Sequence, residues 1–165
     1  KYYEGVIPAY VGAILPQDKE LEEAMEQTIV KFESLNDDLK VTEAYLEVMN
    51  LVSMANKYIQ DTAPWALAKD ESKKDELASC MNHLARVLFE AGMLLKPILI
   101  TKSDKIFDQL GVPADKRIYE AMHDLSWMDG IVSEKGEQLF PRLDQAQEEA
   151  AIAEMMNGPK EQVAA

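Results

Sequence analysis

The stretch NKYIQDTAPWALAK, residues 56–69, decides how this chain is interpreted. It ends one helical pattern, turns at Pro64 and places Trp65 where the next helix begins. Because the proline ring stiffens the backbone, the indole beside it is held in one direction. Such an aromatic face can stack on a nucleotide base, and it can equally well fill a hydrophobic core. The local physics leaves both interpretations open.

Apolar residues recur at three- and four-residue spacing on both sides of this corner, which predicts amphipathic helices. The predicted helices span about 17–36, 40–60, 63–69, 73–95, 102–110 and 145–156. Pro97 is expected to kink or end the helix of 73–95, because a proline inside a helix removes a backbone hydrogen bond.

The remaining stretches, 1–16 and 112–144, are rich in turn residues and predict irregular segments, the second with short helical pieces. No strand-like alternation is long enough to build a sheet. The predicted fold class is therefore all-α, a bundle of about four main helices plus short ones.

The composition is that of one globular domain. The chain has 165 residues, 47% hydrophobic and 28% charged, and can bury a core without a disulfide or a metal. The single cysteine, Cys80, cannot form an internal disulfide, which fits a reducing compartment. No run approaches the ~18 apolar residues of a membrane span, and the first residues do not resemble a signal peptide. We expect a cytoplasmic protein with no membrane partner.

The net charge of −13 argues against general binding to nucleic acids, since phosphate contacts depend on Lys and Arg. No DNA partner is expected, and any contact with RNA must be local. The candidate surface for such a contact is the set of lysines around Trp65, namely Lys57, Lys69, Lys73 and Lys74. A solvated surface position without a ligand fits each of these lysines equally well.

Three motifs resemble one family. NKYIQDTAPWALAK resembles a motif of the anticodon-binding domain of bacterial methionyl-tRNA synthetases. The start KYYEG, followed by Pro8, and the late LFPRLD at 139–144 resemble two further motifs of that family. Their order and spacing match over nearly the whole chain. The resemblance implies an all-helical domain in which the 112–144 segment wraps back over the bundle, while Pro64 and Trp65 contact the anticodon loop of methionine tRNA.

The predicted RNA-binding residues are Trp65, Pro64, Asn56, Lys57 and Lys69. Trp65 would stack on a base, an interaction of roughly 1–3 kcal/mol, and Pro64 would fix its direction. The Asn56 amide offers a donor and an acceptor to a base edge, with a helix-surface or capping role as its alternative. Lys57 and Lys69 are candidates for phosphate contacts.

The resemblance also sets the expected boundaries. Residues 1–156 would form the anticodon-binding domain with its N-terminal helix truncated, and 157–165 a tail or linker. An Asn and an Arg that the family uses on that helix are missing, which predicts weak tRNA affinity. Gln60 stands where members often carry Asp, so a repulsive role at this position would fall to Asp61.

The sequence offers no catalytic site. A Gly-rich phosphate loop and the family's ATP signatures, His-x-Gly-His and Lys-Met-Ser-Lys-Ser, are absent. We expect no catalytic residue and no cofactor in this chain. The resemblance assigns ATP, Mg²⁺ and, as a further candidate, Zn²⁺ to the catalytic domain of the parent enzyme, which is an expected partner.

Other functions stay open on the residues alone. They are the helical domain of another class I synthetase, an acidic protein-interaction module with a buried Trp65, and a metal-binding bundle. The half-motifs Glu120-x-x-His123 and Cys80-x-x-His83 lack the ligands that would complete a metal site. Cys80 is therefore expected to be a small buried or edge residue and His83 a surface one.

The late aromatic residues are expected to be structural. Trp127 should pack against the bundle, and Phe140 and Leu143 should anchor the returning chain in the core. Asp144 should lie at the start of the last helix, where a carboxylate interacts favourably with the helix dipole.

Overall fold

A computed structural model describes residues 2–142 and 144–157 of the chain. The predictions that concern Lys1, Leu143 and the tail after Asn157 lie outside the described residues.

The described residues form six α-helices joined by turns. The helices are α1 (Pro16–Asp37), α2 (Val41–Thr62), α3 (Pro64–Leu67), α4 (Lys74–Leu94), α5 (Lys96–Leu110) and α6 (Gln145–Asn157). Short 3₁₀ turns occur at Glu71–Lys73, Ala114–Lys116, Tyr119–Met122 and Ser126–Met128. In the described part of the chain the only β pairing is one isolated bridge, between Val6 and Val132. The all-α prediction is confirmed.

The prediction for α5 is wrong at its start. The helix begins at Lys96 instead of about 102, because Pro97 lies in its first turn. A proline is tolerated there, since its missing N–H has no helical acceptor in any case. The preceding helix, α4, ends at Leu94, before Pro97, and α5 itself is kinked at Leu99, which leaves helical geometry with φ −102° and ψ 18°.

Helix α4 passes between two hydrophobic clusters that together form the core. The corner cluster lies against α1, α2 and α3 and comprises Leu21, Met25, Leu51, Ala55, Tyr58, Leu67, Leu77, Cys80 and Val87. The return cluster lies against α5 and the later chain, and its largest buried members are Phe89, Leu94, Phe107, Leu110, Met122 and Met128. The two clusters position α4 as the central helix of the bundle.

The return segment, residues 112–142, comes back to the N-terminal chain. Ile7 N–H donates to the Ile131 carbonyl at 2.8 Å, and Gly130 N–H donates to the Ile7 carbonyl at 2.9 Å. Gly111 begins this path with φ +73°, and a Cβ there would overlap the Val132 carbonyl oxygen. Only glycine satisfies both conditions without strain. The wrapping path implied by the resemblance is observed.

Three expectations for the late residues have different outcomes. Trp127 packs on Phe89 with ring centroids 4.9 Å apart, so its structural role is confirmed. Asp144 accepts a hydrogen bond from Gln147 N–H at 3.0 Å and caps α6, as expected. Phe140 does not anchor the core: it is 59% exposed, with Lys102 over its ring at 5.7 Å. Its contact is with a surface cation instead of the bundle interior.

Candidate functional site

The corner between α2 and α3 is set by three consecutive residues. Helix α2 ends at Thr62, whose hydroxyl donates to the Tyr58 carbonyl at 2.7 Å. Ala63 then adopts a left-handed conformation, φ 45° and ψ 63°, which is uncommon for a residue with a Cβ. Pro64 disfavours the α conformation in the residue before it and can itself begin a helix. The sequence Ala-Pro therefore stops one helix and starts the next within a single residue.

The two faces of α3 differ in burial. Pro64 and Leu67, three positions apart, are buried against the corner cluster, and Leu67 is 6% exposed. Trp65 lies on the other face and is 47% exposed. The indole is thus half covered by the domain and half open to solvent. A buried Trp65, expected for a protein-interaction module, is not observed.

A buried hydrogen-bond network centred on Asp18 connects the helices next to this corner. Tyr58 of α2 and Ser79 of α4 donate hydroxyl hydrogen bonds to the two carboxylate oxygens of Asp18, each at 2.6 Å. Asp18 also accepts the backbone N–H of Ile14 at 3.0 Å and of Leu15 at 2.9 Å. One carboxylate therefore connects the N-terminal segment with helices α1, α2 and α4.

The protonation of Asp18 reflects this arrangement. Burial opposes its ionisation, but the hydrogen bonds from Ser79, Tyr58 and Leu15 together outweigh burial and lower the pKa of the carboxyl. Burial, followed by the bond to Asp18, raises the pKa of Tyr58 far above its ordinary value. The carboxylate is the acceptor and the tyrosine the donor over the whole physiological range.

Sequence reasoning did not identify Asp18 as a functional support. A signal was present, because a helix that begins at a proline commonly carries an acidic residue at its third position, reaching back to the preceding backbone. Asp18 occupies that position after Pro16. The contacts with Tyr58 and Ser79, 40 and 61 residues away, have no local signature.

The polar candidates around the corner are all exposed. Asn56 lies on the outer side of α2, next to Lys57, whose side chain is 76% exposed. Lys57 forms a long ion pair with Asp61, at 3.9 Å and one helical turn away. Lys69 is exposed, and no carboxylate of the described residues lies within ion-pair distance of it.

The two other lysines near Trp65 are paired. Lys73 lies 4.0 Å from a Glu76 oxygen, and Lys74 forms a close ion pair with Glu71. Their charges are therefore partly neutralised by neighbours on the same stretch of chain. Of the four lysines, Lys69 retains the least compensated charge.

The expectation that His83 lies on the surface is wrong. It is fully buried, and its Nε2 lies 2.9 Å from Glu22 of α1 while its Nδ1 lies 2.7 Å from the Ser79 carbonyl oxygen. Cys80 is buried as expected, 3.4 Å from the Thr62 hydroxyl, and burial raises the pKa of its thiol. Across residues 2–142 and 144–157, no group of three or more His, Cys, Asp and Glu could hold a metal ion.

Comparison with known proteins decides the family. The family profile described as the anticodon binding domain of methionyl tRNA ligase matches residues 7–160. This chain belongs to that family. The domain is 37% identical over 161 residues to methionine--tRNA ligase of Halalkalibacterium halodurans, covering 97% of this chain and 24% of the relative. It is 39% identical over 158 residues to methionine--tRNA ligase of Enterococcus faecalis, covering 95% and 24%. The anticodon-binding domain thus spans about a quarter of these curated relatives.

Solved structures confirm the fold. The domain superimposes on the free form of Mycobacterium tuberculosis methionyl-tRNA synthetase with a TM-score of 0.80 and 22% identity, covering 87% of this chain and 29% of that one. The match with the same synthetase bound to methionyl-adenylate gives a TM-score of 0.79 over 86% and 28%. Within the described part of the domain, no helix combines the length and apolarity that crossing a membrane requires.

Proposed function

We propose that this domain binds the anticodon loop of methionine tRNA and that Trp65 is the face on which an unpaired base stacks. The observation that carries the proposal is the half-exposed indole on a corner whose inner side is fixed by buried Pro64 and Leu67. Sequence-specific reading of RNA takes place mostly in single-stranded loops, whose bases can be splayed out onto aromatic side chains. The rigid corner presents such a side chain without a change of backbone.

The neighbouring residues supply the other interactions of a loop. The exposed Asn56 amide can donate to and accept from a base edge. Lys57 and Lys69 can contact phosphates on either side of the stacked base. Buried Pro64 acts by fixing the direction of the indole.

The charge of the domain limits this contact to the corner. With a net charge of −13, most of the surface repels RNA, and two of the four nearby lysines are paired with glutamates. A stacked base contributes energy that does not depend on salt, whereas the lysine contacts do. Stacking is therefore expected to be the larger part of the affinity.

The parent protein, by this proposal, is a cytoplasmic methionine–tRNA ligase that joins methionine to its tRNA with ATP. ATP, Mg²⁺ and any Zn²⁺ belong to its catalytic domain, and the anticodon-binding domain positions the tRNA against it. The support for this assignment is the family to which the chain belongs and the methionine--tRNA ligases that it resembles, one of them over 97% of its length.

The test is a titration of the domain with the anticodon stem-loop of methionine tRNA. Trp65→Ala is expected to weaken binding at least tenfold, about 1.4 kcal/mol, and Trp65→Phe less than that, because phenylalanine retains a smaller stacking face. Phe140→Ala is the matched control, since Phe140 is an exposed aromatic residue outside the corner. If the Trp65→Ala variant keeps its fold and binds the stem-loop as tightly as the unsubstituted domain, Trp65 is not part of the interface.

A further inference from the structure

An open cleft of about 550 Å³ lies between α1 and α4, apart from the Trp65 corner. One face of α1 lines it with residues at helical spacing, including Glu22, Glu26 and Glu33. One face of α4 lines the other side with Arg86 and Glu90, among others. None of the five candidate RNA-binding residues borders this cleft. Its volume falls in the range of pockets that hold small molecules.

Glu90 is the unusual residue in this cleft. It is 1% exposed, and none of the described residues forms a hydrogen bond to its Oε1. A buried carboxyl oxygen without a donor is energetically unfavourable, because desolvation is not compensated. Arg86 does not relieve it: its Nε is also unpaired, its Nη2 lies 3.7 Å from an Asp129 oxygen, and its guanidinium stacks on Tyr10 at 4.3 Å. The cleft therefore contains an acceptor that lacks a donor.

The other carboxylates of the cleft differ in whether they already accept hydrogen bonds. Glu22 accepts the Tyr10 hydroxyl at 2.6 Å and contacts His83, and Glu33 accepts the Tyr119 hydroxyl at 3.0 Å. No described residue forms a hydrogen bond or an ion pair with the side-chain carboxylate of Glu26. Glu26 and Glu90 are thus two acceptors with free capacity on facing helices.

We propose that this cleft binds an aliphatic polyamine, with a primary ammonium donating to Glu90 and a second nitrogen facing Glu26. An ammonium supplies three N–H donors and no acceptor, which suits a site of carboxylates. The alkyl chain between the nitrogens would lie against the apolar side chains that alternate with the acids, Met25, Ile29 and Met122. An amphipathic cation of this type matches both the charge and the apolar lining.

The charges that face Glu90 favour a cation. They come from three sources: Glu22, Glu26 and Glu33 on α1, His83 and Arg86 on α4, and Tyr10, Tyr119 and His123 from the chain that borders both helices. Three carboxylates face one guanidinium, which is itself paired with Asp129 at 3.7 Å, so the carboxylates of the site are not neutralised. Burial raises the pKa of Glu90 to about 8. A bound ammonium would favour the ionised carboxylate, so binding would release a proton.

This coupling gives a specific pH dependence. Glu90 with a pKa of about 8 is about one-tenth ionised at pH 7 and half ionised at pH 8. The affinity for a polyamine should therefore rise several-fold between these two pH values.

The experiment is a calorimetric titration of the 165-residue chain with spermidine at pH 7 and pH 8. We expect saturable binding with one site, about tenfold weaker in Glu90→Gln, and no binding of the uncharged 1,8-octanediol. The Glu90→Gln variant keeps the size of the side chain and is expected to fold. Its affinity should be nearly equal at the two pH values.

A matched control is Glu23→Gln, which makes the same substitution on α1 at an exposed position paired with Lys19 outside the cleft. Equal weakening by Glu23→Gln and Glu90→Gln would show diffuse attraction to an acidic surface and overturn the site. The same conclusion would follow from absence of saturation, or from a pH dependence that persists in Glu90→Gln. Trp65→Ala should leave spermidine binding unchanged, which keeps this proposal independent of the RNA contact.

Discussion

The two tryptophans of this domain have opposite environments. Trp127 of the return segment lies over Phe89, and its Nε1 donates to the Ala121 carbonyl at 3.2 Å. Trp65 is 47% exposed, and its indole has no ring or hydrogen-bond partner in the described part of the chain. One indole is fully engaged within the fold, and the other keeps a face for a ligand.

The buried polar groups near the two tryptophans show the opposite contrast, with full hydrogen bonding at the Trp65 corner and unpaired atoms on the other side of α4. At the corner, both oxygens of buried Asp18 accept short hydrogen bonds. On the return side of α4, Glu90 and Arg86 each have a buried atom without a partner among the described residues. The corner region, which exposes Trp65, thus has a buried carboxylate whose hydrogen-bonding capacity is filled. Such a network keeps the backbone under Trp65 rigid and so fixes the direction of the indole. The region around Glu90 has unpaired polar atoms inside, at the edge of an open cleft.

The largest expected effect concerns Glu90 and the pH. Its pKa is raised from 4.5 to about 8 by burial, so the folded domain holds a proton that the unfolded chain releases in this interval. Stability contributed by that protonated carboxyl is present at low pH and is lost as pH rises toward 8. At about 1.4 kcal/mol per pKa unit, the loss is at most about 5 kcal/mol. Glu90→Gln should therefore gain stability relative to the parent between pH 5 and pH 8.

Urea unfolding at a series of pH values measures this difference. The variant and the parent should differ least near pH 5, where both side chains are neutral in the folded domain. Parallel stability curves for the two proteins would mean that Glu90 is solvated or paired, and the contrast between the two regions would be lost.

The next effect is expected at Asp18. Asp18→Ala leaves the hydroxyls of Tyr58 and Ser79 without their acceptor, and should lower the free energy of unfolding by about 4 kcal/mol. Because the pKa of Asp18 is lowered in the fold, its contribution is present above the unfolded pKa and is lost as pH falls through the folded one. The stability gap between parent and variant should close in acid.

Asp18→Asn is the control for this prediction. Asparagine keeps one oxygen acceptor and the shape of the side chain, so it should be less destabilising than alanine. An alanine variant as stable as the parent in urea would show that the corner does not depend on this network.

The two tryptophans give the direct test of the comparison. Trp127→Ala removes the contact with Phe89 and one hydrogen bond, and should destabilise the domain by about 3 kcal/mol. Trp65→Ala should change stability by less than about 1 kcal/mol, because half of the side chain is already in water. Thermal unfolding followed by circular dichroism measures both. A larger loss at Trp65 than at Trp127 would reverse the assignment of roles.

The sequence predicted the helices well because their apolar periodicity is a local property. The predicted 17–36, 40–60 and 145–156 differ from α1, α2 and α6 by at most two residues at either end. The Pro-Trp corner was also predictable, since a proline in a first turn has a known local geometry. The local sequence left open whether Trp65 faces outward, and the structure decides it, because Pro64 and Leu67 occupy the buried face of α3.

The wrong predictions concern positions that depend on distant partners. His83 was expected on the surface, but its burial depends on Glu22, 61 residues away. Phe140 of the LFPRLD motif was expected in the core, yet it is 59% exposed, with Lys102 over its ring. The Glu90 cleft needs two helices far apart in sequence, and nothing in the local pattern of α4 marks it. Periodicity identifies the face of a helix, and tertiary contacts decide what covers that face.

The smallest expected effects separate the two candidate phosphate contacts, and they rest on the proposed RNA binding. Each contact with single-stranded RNA contributes about 0.7 to the slope of log affinity against log salt concentration. Lys69→Gln should lower this slope by about 0.7. Lys57→Gln should lower it by less, because Asp61 lies 3.9 Å from the Lys57 ammonium and partly neutralises it. Asp61→Asn should conversely raise affinity two- to threefold, about 0.5 kcal/mol, by freeing Lys57. Stem-loop titrations at three salt concentrations measure all three variants. Unchanged slopes in both lysine variants would place the phosphates elsewhere and leave the Trp65 face as the sole contact of the corner.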